Sequence, residues 1–532
     1  MKQEYKSLQL LQKLGITLFV AALAFFTSGI FFGDFVVTDA VLQESLNETQ
    51  KTNLLEYYQS NVVGKTYGSS FSLSQAIITK YNEVNDTFKA AGEWDKVMWD
   101  NPKELSFKIA KQSGVGFFAL NKGLALFLTF GLGVLGALLY IFPNFGLLGP
   151  AGIKNNGVFQ HPATNRGWIG YTVFAYLVSF YITLYFFPYI IVNWTNVVDP
   201  VAELISGGQA SQWFLYGFLY CTVMTVMAVR MYIKYRHNRY QIFRTSTVLF
   251  FQIAFAFLIP EIMVQFNLPY MDLKNAWPLD YDFFFSWNLD NFQTFGIVGV
   301  FLIFWGIILT LIIVPVGVYF WGKRWYCSWV CGCGGLAETL GDPYRQLSDK
   351  SLNAWKLERW LIHGVLVFAI IMTGITIYTR YSGVDYFLIF STSDIQSWYG
   401  FLIGSIFAGV IGTGFYPVFG NRAWCRFGCP LAAYMGIIQR FKSRFRITTN
   451  GGQCISCGNC STYCEQGIDV RWYAQRGQNI VRSSCVGCGV CSAVCPRGVL
   501  KLENGPEENR FNEKPIIIGK NNAEVFKLPE IK

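Results

Sequence analysis

The stretch C-I-S-C-G-N-C-S-T-Y-C, from Cys454 to Cys464, is followed by C-V-G-C-G-V-C-S-A-V-C-P, from Cys485 to Pro496. Each half reads C-x2-C-x2-C-x3-C. In this spacing three close thiolates grip three irons of a [4Fe–4S] cube, and the fourth ligand comes from the other half. On that rule Cys454, Cys457, Cys460 and Cys495 hold one cluster, and Cys485, Cys488, Cys491 and Cys464 hold the second. The small residues between ligands let backbone N–H groups turn toward sulfur, which tunes the potential. Structural zinc usually shows two C-x2-C pairs without a third cysteine two residues on. A disulfide framework needs an oxidising compartment.

Working outward, the chain becomes apolar. Of 532 residues, 52% are hydrophobic and only 14% are charged, against about 25% charged in a soluble domain. This is the balance of a membrane protein with small polar parts. The formal charge of +10 is read as positive-inside bias, and no nucleic-acid partner is expected. Eight apolar stretches are long enough to span a membrane: Leu14–Gly33, Gly123–Phe142, Trp168–Val192, Trp213–Tyr232, Thr247–Val264, Phe295–Phe320, Trp360–Tyr378 and Trp398–Val418. The first, preceded by Lys2, Lys6 and Lys13, reads as a retained helix and not a cleaved signal. Loops assigned inside carry Lys154 and Arg166, then Arg230, Lys234, Arg236, Arg239 and Arg244, then Lys323, Arg324, Arg345, Lys350 and Lys356. Loops assigned outside carry Asp199, Glu203, Asp272, Asp280, Asp282, Asp290, Asp385 and Asp394. The expectation is a multi-pass protein of the cytoplasmic (inner) membrane with both termini cytoplasmic, where thiols stay reduced.

The fold expected is an all-α polytopic membrane protein of about eight transmembrane helices, with a C-terminal α+β domain of the two-cluster bacterial-ferredoxin type. The divisions are residues 1–33, a cytoplasmic stub with the first helix; 34–122, an extracytoplasmic helical insert; and 123–292, the second to fifth helices. Residues 293–435 hold three helices and two C-x3-C hooks, 436–450 a basic interfacial linker, 451–500 the two-cluster domain and 501–532 a cytoplasmic tail. Within the insert, Asn53–Tyr58 and Ser74–Tyr81 have helical patterns, and there is no Cys or His to deliver metal. Met435–Arg446 mixes apolar residues with bases and reads as an interfacial helix on anionic lipid.

The hooks are an internal repeat. The sixth span runs into W-G-K-R-W-Y-C-S-W-V-C-G and the eighth into F-G-N-R-A-W-C-R-F-G-C-P. Gly322 and Gly420, Arg324 and Arg422, Cys327 and Cys425, and Cys331 and Cys429 each lie 98 residues apart. The phrase reads as a helix end, a Gly for the turn, an Arg for the phosphate layer, then a cysteine pair. At i, i+4 each pair would share one helical face. Two copies about a pseudo-twofold axis would gather Cys327, Cys331, Cys425 and Cys429 into a four-thiolate site at the cytoplasmic membrane surface. Four thiolates suit an iron–sulfur cluster, zinc or Cu(I). A third cluster is the reading preferred, with structural zinc or a redox-active thiol pair as competitors. Cys333 is a spare thiol or substitute ligand, and Cys221 an ordinary core residue.

The last spans, both hooks and the doubled cysteine run resemble the membrane-bound polyferredoxin family over about Phe295–Leu500. That family includes NapH-like quinol dehydrogenase components, NosR-like maturation proteins and CcoG-like assembly proteins of haem–copper oxidases. Two departures stand out: Gly332 replaces the Pro usual after the first hook, and Glu465 follows Cys464. The resemblance implies an electron-transfer component and not a stand-alone catalyst. Two [4Fe–4S] clusters would exchange electrons with the hook site, then with a membrane quinone or a partner redox protein of a respiratory complex. A reductase for copper insertion into a respiratory enzyme is the alternative, and a redox-sensing scaffold or transporter a second. No covalent flavin or haem motif is present. His363, inside the seventh span, lacks a second intramembrane His for bis-His haem, and Glu261 near the end of the fifth could exchange protons with a quinone or simply reach the interface.

Overall fold

The computed structural model describes residues 2–143, 166–450 and 453–505, so Lys154, His161 and residues 506–532 lie outside it. Among the described residues, eight helices are long and apolar enough to cross a membrane: Ser7–Ser28, Lys122–Ile141, Trp168–Phe186, Gln212–Tyr235, Arg239–Gln265, Gly296–Trp321, Leu352–Ser382 and Thr392–Gly414. They match the eight spans read from sequence, and the chain is a multi-pass membrane protein. The first begins seven residues earlier than expected (Ser7 against Leu14) and ends at Ser28. The third stops at Phe186, ahead of Pro188, whose missing N–H cannot continue the ladder.

Between the first two spans lies a helical unit made chiefly of Glu48–Asn61, Ser70–Ala91 and Pro102–Gln112. Gln50, Leu54 and Tyr58 are buried at four-residue spacing, as are Leu73, Ile77 and Tyr81 on the next helix, so each presents one stripe to a shared core. Asn47 and Gln50 close a capping box at the first helix. The unit is clasped to the spans by a helix that was expected to be loop. Val192–Ile205 is buried continuously from Val192 to Asp199. Asp199, read from sequence as an outer-loop charge, is 0% exposed. It holds Lys111 Nζ at 2.7 Å, Lys122 Nζ at 2.7 Å and the Ala210 N–H at 2.9 Å. Replacing Asp199 with Asn leaves a buried Lys111 without its counter-charge. A loss of about 3 kcal/mol is expected, read as a lower melting temperature and faster proteolysis of residues 34–121.

At the other end of the chain, strand Phe445–Thr449 pairs antiparallel with Leu500–Asn504, Phe445 opposite Asn504 and Thr449 opposite Leu500. This ladder draws together the two ends of a small domain with helices Asn459–Thr462, Val470–Gln475 and Val490–Ala493. Residues 436–450, read as a linker, thus include a strand of that domain. The helix before it, Pro430–Lys442, buries Met435, Gly436 and Gln439 on one face and leaves Ile437 and Phe441 exposed on the other. Its buried apolar residues pack against the hooks and cysteine loops, with Met435 in one core with Cys327, Cys429 and Val486.

Candidate metal centres

Three small spaces are ringed by cysteines. The first is lined by Cys454, Cys457, Cys460 and Cys495. The second is lined by Cys464, Cys485, Cys488 and Cys491. The third is lined by Cys327, Cys331, Cys425 and Cys429, with Cys333 beside them. Each of the first two draws its fourth cysteine from the opposite half of the repeat, as the spacing anticipates. Among the described residues, no three His, Cys, Asp or Glu side chains converge on a single-ion site. Each quartet surrounds a void, and four thiolates at one void suit an iron–sulfur cluster, zinc or Cu(I).

The two halves of the domain follow the same backbone path. Ser456 and Gly487 occupy equivalent positions with φ of 58° and 63°, and Gly458 and Gly489 with φ of 80° and 69°. Left-handed residues curl each C-x2-C-x2-C run around its void, and glycine adopts that conformation without a Cβ penalty. Burial differs sharply between the sets. Cys457 is exposed, Cys460, Cys485 and Cys491 are buried, and all four hook cysteines are buried.

The hooks depart from the helical-face reading. Cys327 ends the short helix Arg324–Cys327, while Cys331 is extended (φ −69°, ψ 134°) and caps the next helix, Gly332–Glu338. The second hook repeats this with a wide turn over Trp424–Gly428 and an extended Cys429 (φ −81°, ψ 110°) before Pro430–Lys442. Each pair therefore straddles a break, which lets both sulfurs turn inward. Gly322 and Gly420 have φ of 67° and 85°, so the turn glycine is used twice in the same way. The Cys333 thiol hydrogen-bonds Cys331 and draws its pKa down to about 6 against its burial, helped by Lys274 and Arg422. Burial pushes Cys327 up to about 12.

Nor does the hook site lie open at a surface. The segment joining the fifth and sixth spans at the end opposite the first hook folds in to meet it. Leu279 lines the hook void, Ala276 shares its core, and the Tyr326 hydroxyl donates to the Lys274 carbonyl at 2.8 Å. Trp277 Nε1 donates to Thr373 Oγ1 at 3.0 Å and Trp305 Nε1 to the Leu273 carbonyl at 2.7 Å, fixing the segment between spans. On another side the Tyr220 hydroxyl reaches the Gly332 carbonyl at 2.5 Å. Tyr220, Tyr216 and Tyr181 follow one another from there with ring centroids 6.1 and 6.3 Å apart.

Arginines read as phosphate contacts are buried. Arg422 is 1% exposed, and its Nη2 lies 2.9 Å from Glu338 and 3.0 Å from Glu465. Glu465 also meets Arg345 at 2.6 Å. Arg345, Arg230 and Lys234 converge on Asp342 at 2.8, 2.8 and 2.7 Å. Arg244 pairs with Glu338 at 3.0 Å and donates to the Cys488 carbonyl at 2.8 Å. Burial alone would raise the Glu465 carboxyl, but Arg345 and Arg422, with Arg244, hold it down at about 2. Burial likewise opposes ionisation of Asp342, yet Lys234, Arg230 and Arg345 keep it well below the usual carboxylate range. This lock joins the fourth and fifth spans, both hooks and the cysteine domain. The departure at Glu465 was its one visible sign.

Further bonds fasten the second cysteine set to the same surface. Tyr240 donates to the Gly487 carbonyl at 2.9 Å, Gln241 to Cys488 at 2.8 Å, Ser328 to Val486 at 2.9 Å and Gln439 to Cys485 at 2.9 Å. His363, His237 and Cys221 stand apart from these sites. His363 bonds its own helix at the Arg359 carbonyl, 2.7 Å away, and neither it nor His237 lines a cysteine void. Cys221 is a buried core thiol near the Gln252 carbonyl.

Comparison with known proteins bears on these sites directly. Residues 446–496 match the model described as a 4Fe-4S dicluster domain. Residues 297–351 and 399–448, which contain the two hooks, match a 4Fe-4S binding domain. The C-terminal part of this chain thus carries 4Fe-4S binding domains and resembles membrane-bound ferredoxin-type proteins. The chain is 31% identical over 169 residues to the putative electron transport protein YccM of Escherichia coli, covering 28% of this chain and 43% of that one. It is 25% identical over 159 residues to the methylamine utilization ferredoxin-type protein MauN of Methylobacillus flagellatus, covering 29% of this chain and 53% of the relative. It is 21% identical over 168 residues to the regulatory protein NosR of Stutzerimonas stutzeri, covering 30% and 22% respectively. The match thus spans about half or less of these relatives. No solved structure matches the chain. The first two relatives are described as electron-transport or ferredoxin-type proteins, and this chain shares 4Fe-4S domains with that group.

Proposed function

We propose that the chain is a one-electron relay between a solvent-facing donor or acceptor and a membrane quinone or membrane-bound redox partner. Cys454, Cys457, Cys460 and Cys495 hold one [4Fe–4S] cluster; Cys464, Cys485, Cys488 and Cys491 hold a second; and Cys327, Cys331, Cys425 and Cys429 hold a third. When bound, such clusters accept or release one electron with little rearrangement. The protein holds their ligands in a series of increasing burial. Cys457 meets solvent, the second set sits against the hooks, and the third lies among the spans. Ser328, on the first hook, bonds Val486 in the second cysteine loop, so the second and third sites share a wall.

The observation that carries this reading is the enclosed hook quartet, reached on one side by the cysteine domain and on another by Tyr220. Tyr181, Tyr216 and Tyr220 form a run of rings from the third and fourth spans to the Gly332 carbonyl beside Cys333, aromatic area of the kind a quinone ring packs against. The excess of bases in the loops on the cysteine domain's side supports a cytoplasmic domain, with both termini on that side of the inner membrane.

The test uses anaerobic protein in lipid nanodiscs. Dithionite should bleach the iron–sulfur absorbance near 400 nm, about its usual position, and a short-chain quinone should restore it. Bleaching without restoration by any quinone would remove the quinone and leave a protein partner as the acceptor. No bleaching at all would remove the relay.

A further inference from the structure

The face on which the outermost cysteine void opens is cationic. Arg471 and Arg497 line that void, and both are exposed. Arg476 adds a third positive charge, its guanidinium 3.8 Å above the Trp472 ring. Trp472 and Ile455 are 44% and 53% exposed, so the rim has an apolar part as well. Among the residues lining the void there is no carboxylate, and Asp469, nearby in sequence, accepts from the Ser461 hydroxyl at 2.6 Å. Bonds from the fourth-to-fifth-span region, made by Tyr240, Gln241 and Arg244, end on Gly487 and Cys488 of the other cysteine set.

We infer that the rim of Ile455, Arg471, Trp472, Arg476 and Arg497 is the docking surface for a small soluble one-electron carrier protein with an acidic face. The inference rests on the relay reading and names the partner at its solvent end. Opposite charge steers the encounter and raises association rates by roughly 10 to 1000-fold at low salt. An exposed Trp and Ile amid arginines supply the aromatic, apolar and Arg contacts typical of an interface centre. Exposed Cys457 places one ligand at the contact itself. A carrier surface explains why charge and apolar area gather at this void, whereas lipid would need neither a ring around a metal ligand nor a site remote from the bonds to the spans. In the exchange the carrier loses one electron and the centre held by Cys454, Cys457, Cys460 and Cys495 gains it, or the reverse. No bond forms or breaks and no proton moves.

The probe is a plant-type [2Fe–2S] ferredoxin, an acidic one-electron carrier, with the full-length protein in zwitterionic nanodiscs. Calorimetry of the oxidised proteins should show binding that weakens at least about tenfold between 50 and 500 mM salt. The Trp472→Ala, Arg476→Glu double variant should bind at least about tenfold more weakly at 50 mM salt and be reduced by the carrier correspondingly more slowly. Its iron content and its bleaching by dithionite should match the unaltered protein. Equal ferredoxin affinity in the two proteins would overturn the docking surface while leaving the relay intact. So would a variant that lost binding to anionic vesicles and kept its affinity for ferredoxin, which would assign the rim to lipid. If dithionite bleaches nothing in the unaltered protein, the relay itself has failed, and the docking surface with it.

Discussion

Glu465→Gln is expected to destabilise the docked cysteine domain by about 3–5 kcal/mol, the cost of removing one partner from a buried ion pair. Glu465 is 1% exposed and lies between Arg345 and Arg422, themselves each 1% exposed. Its oxygens sit 2.6 Å from Arg345 and 3.0 Å from Arg422. Glutamine keeps the shape but leaves five buried or half-buried cations, Arg230, Lys234, Arg244, Arg345 and Arg422, facing only Asp342 and Glu338. The lock spans two hooks, two spans and the domain, so the loss should appear as undocking. Proteolysis between residues 442 and 454 should accelerate, and the brown colour should bleach at lower temperature. The centre next to Cys464 should also become easier to reduce, because a negative charge beside it has gone. A variant as stable as the parent, with unchanged potential, would show that the lock does not position the domain.

The second large effect is expected at the hooks. Cys425→Ala with Cys429→Ala removes half of the buried quartet and should abolish metal binding at the third site alone. About four irons per chain should be lost, while the signals from the other two centres persist. Quinone-driven reoxidation should fall at least about 100-fold, since the ~30 Å hydrocarbon layer leaves the domain's centres at one side. The control substitution Cys221→Ala should change neither iron nor rate, because Cys221 lines none of the three voids. If the hook double variant keeps its full iron content, the quartet is not a cluster site.

Much of this architecture is written in residue spacing. The eight apolar runs and the doubled cysteine pattern are local signals, and local signals survive without knowledge of tertiary contacts. The 98-residue repeat likewise pointed to four cysteines that the fold brings to one void. What was illegible depended on where a charge ends up. Asp199 looks like an outer-loop acid until Lys111, 88 residues away in sequence, is seen beside it. Arg422 looks like a lipid-facing base until Glu338 and Glu465 close over it from two separate segments. The C-x3-C pairs looked helical because i, i+4 is a helical spacing. The extended backbone at Cys331 and Cys429 comes from the turn glycines and the new helix that each cysteine caps. Lys274 and Leu279, written as an outer loop, reach the hook because Trp277 and Trp305 anchor their segment between spans. No periodicity announces such a fold-in.

The most direct measurement is iron and acid-labile sulfide per chain in anaerobically purified full-length protein, read with EPR of the reduced state. Three cysteine-ringed clusters predict about twelve irons and twelve sulfides, with interacting signals from neighbouring centres. About eight irons would contradict a cluster in the hooks, and a colourless, iron-free protein would contradict the relay altogether.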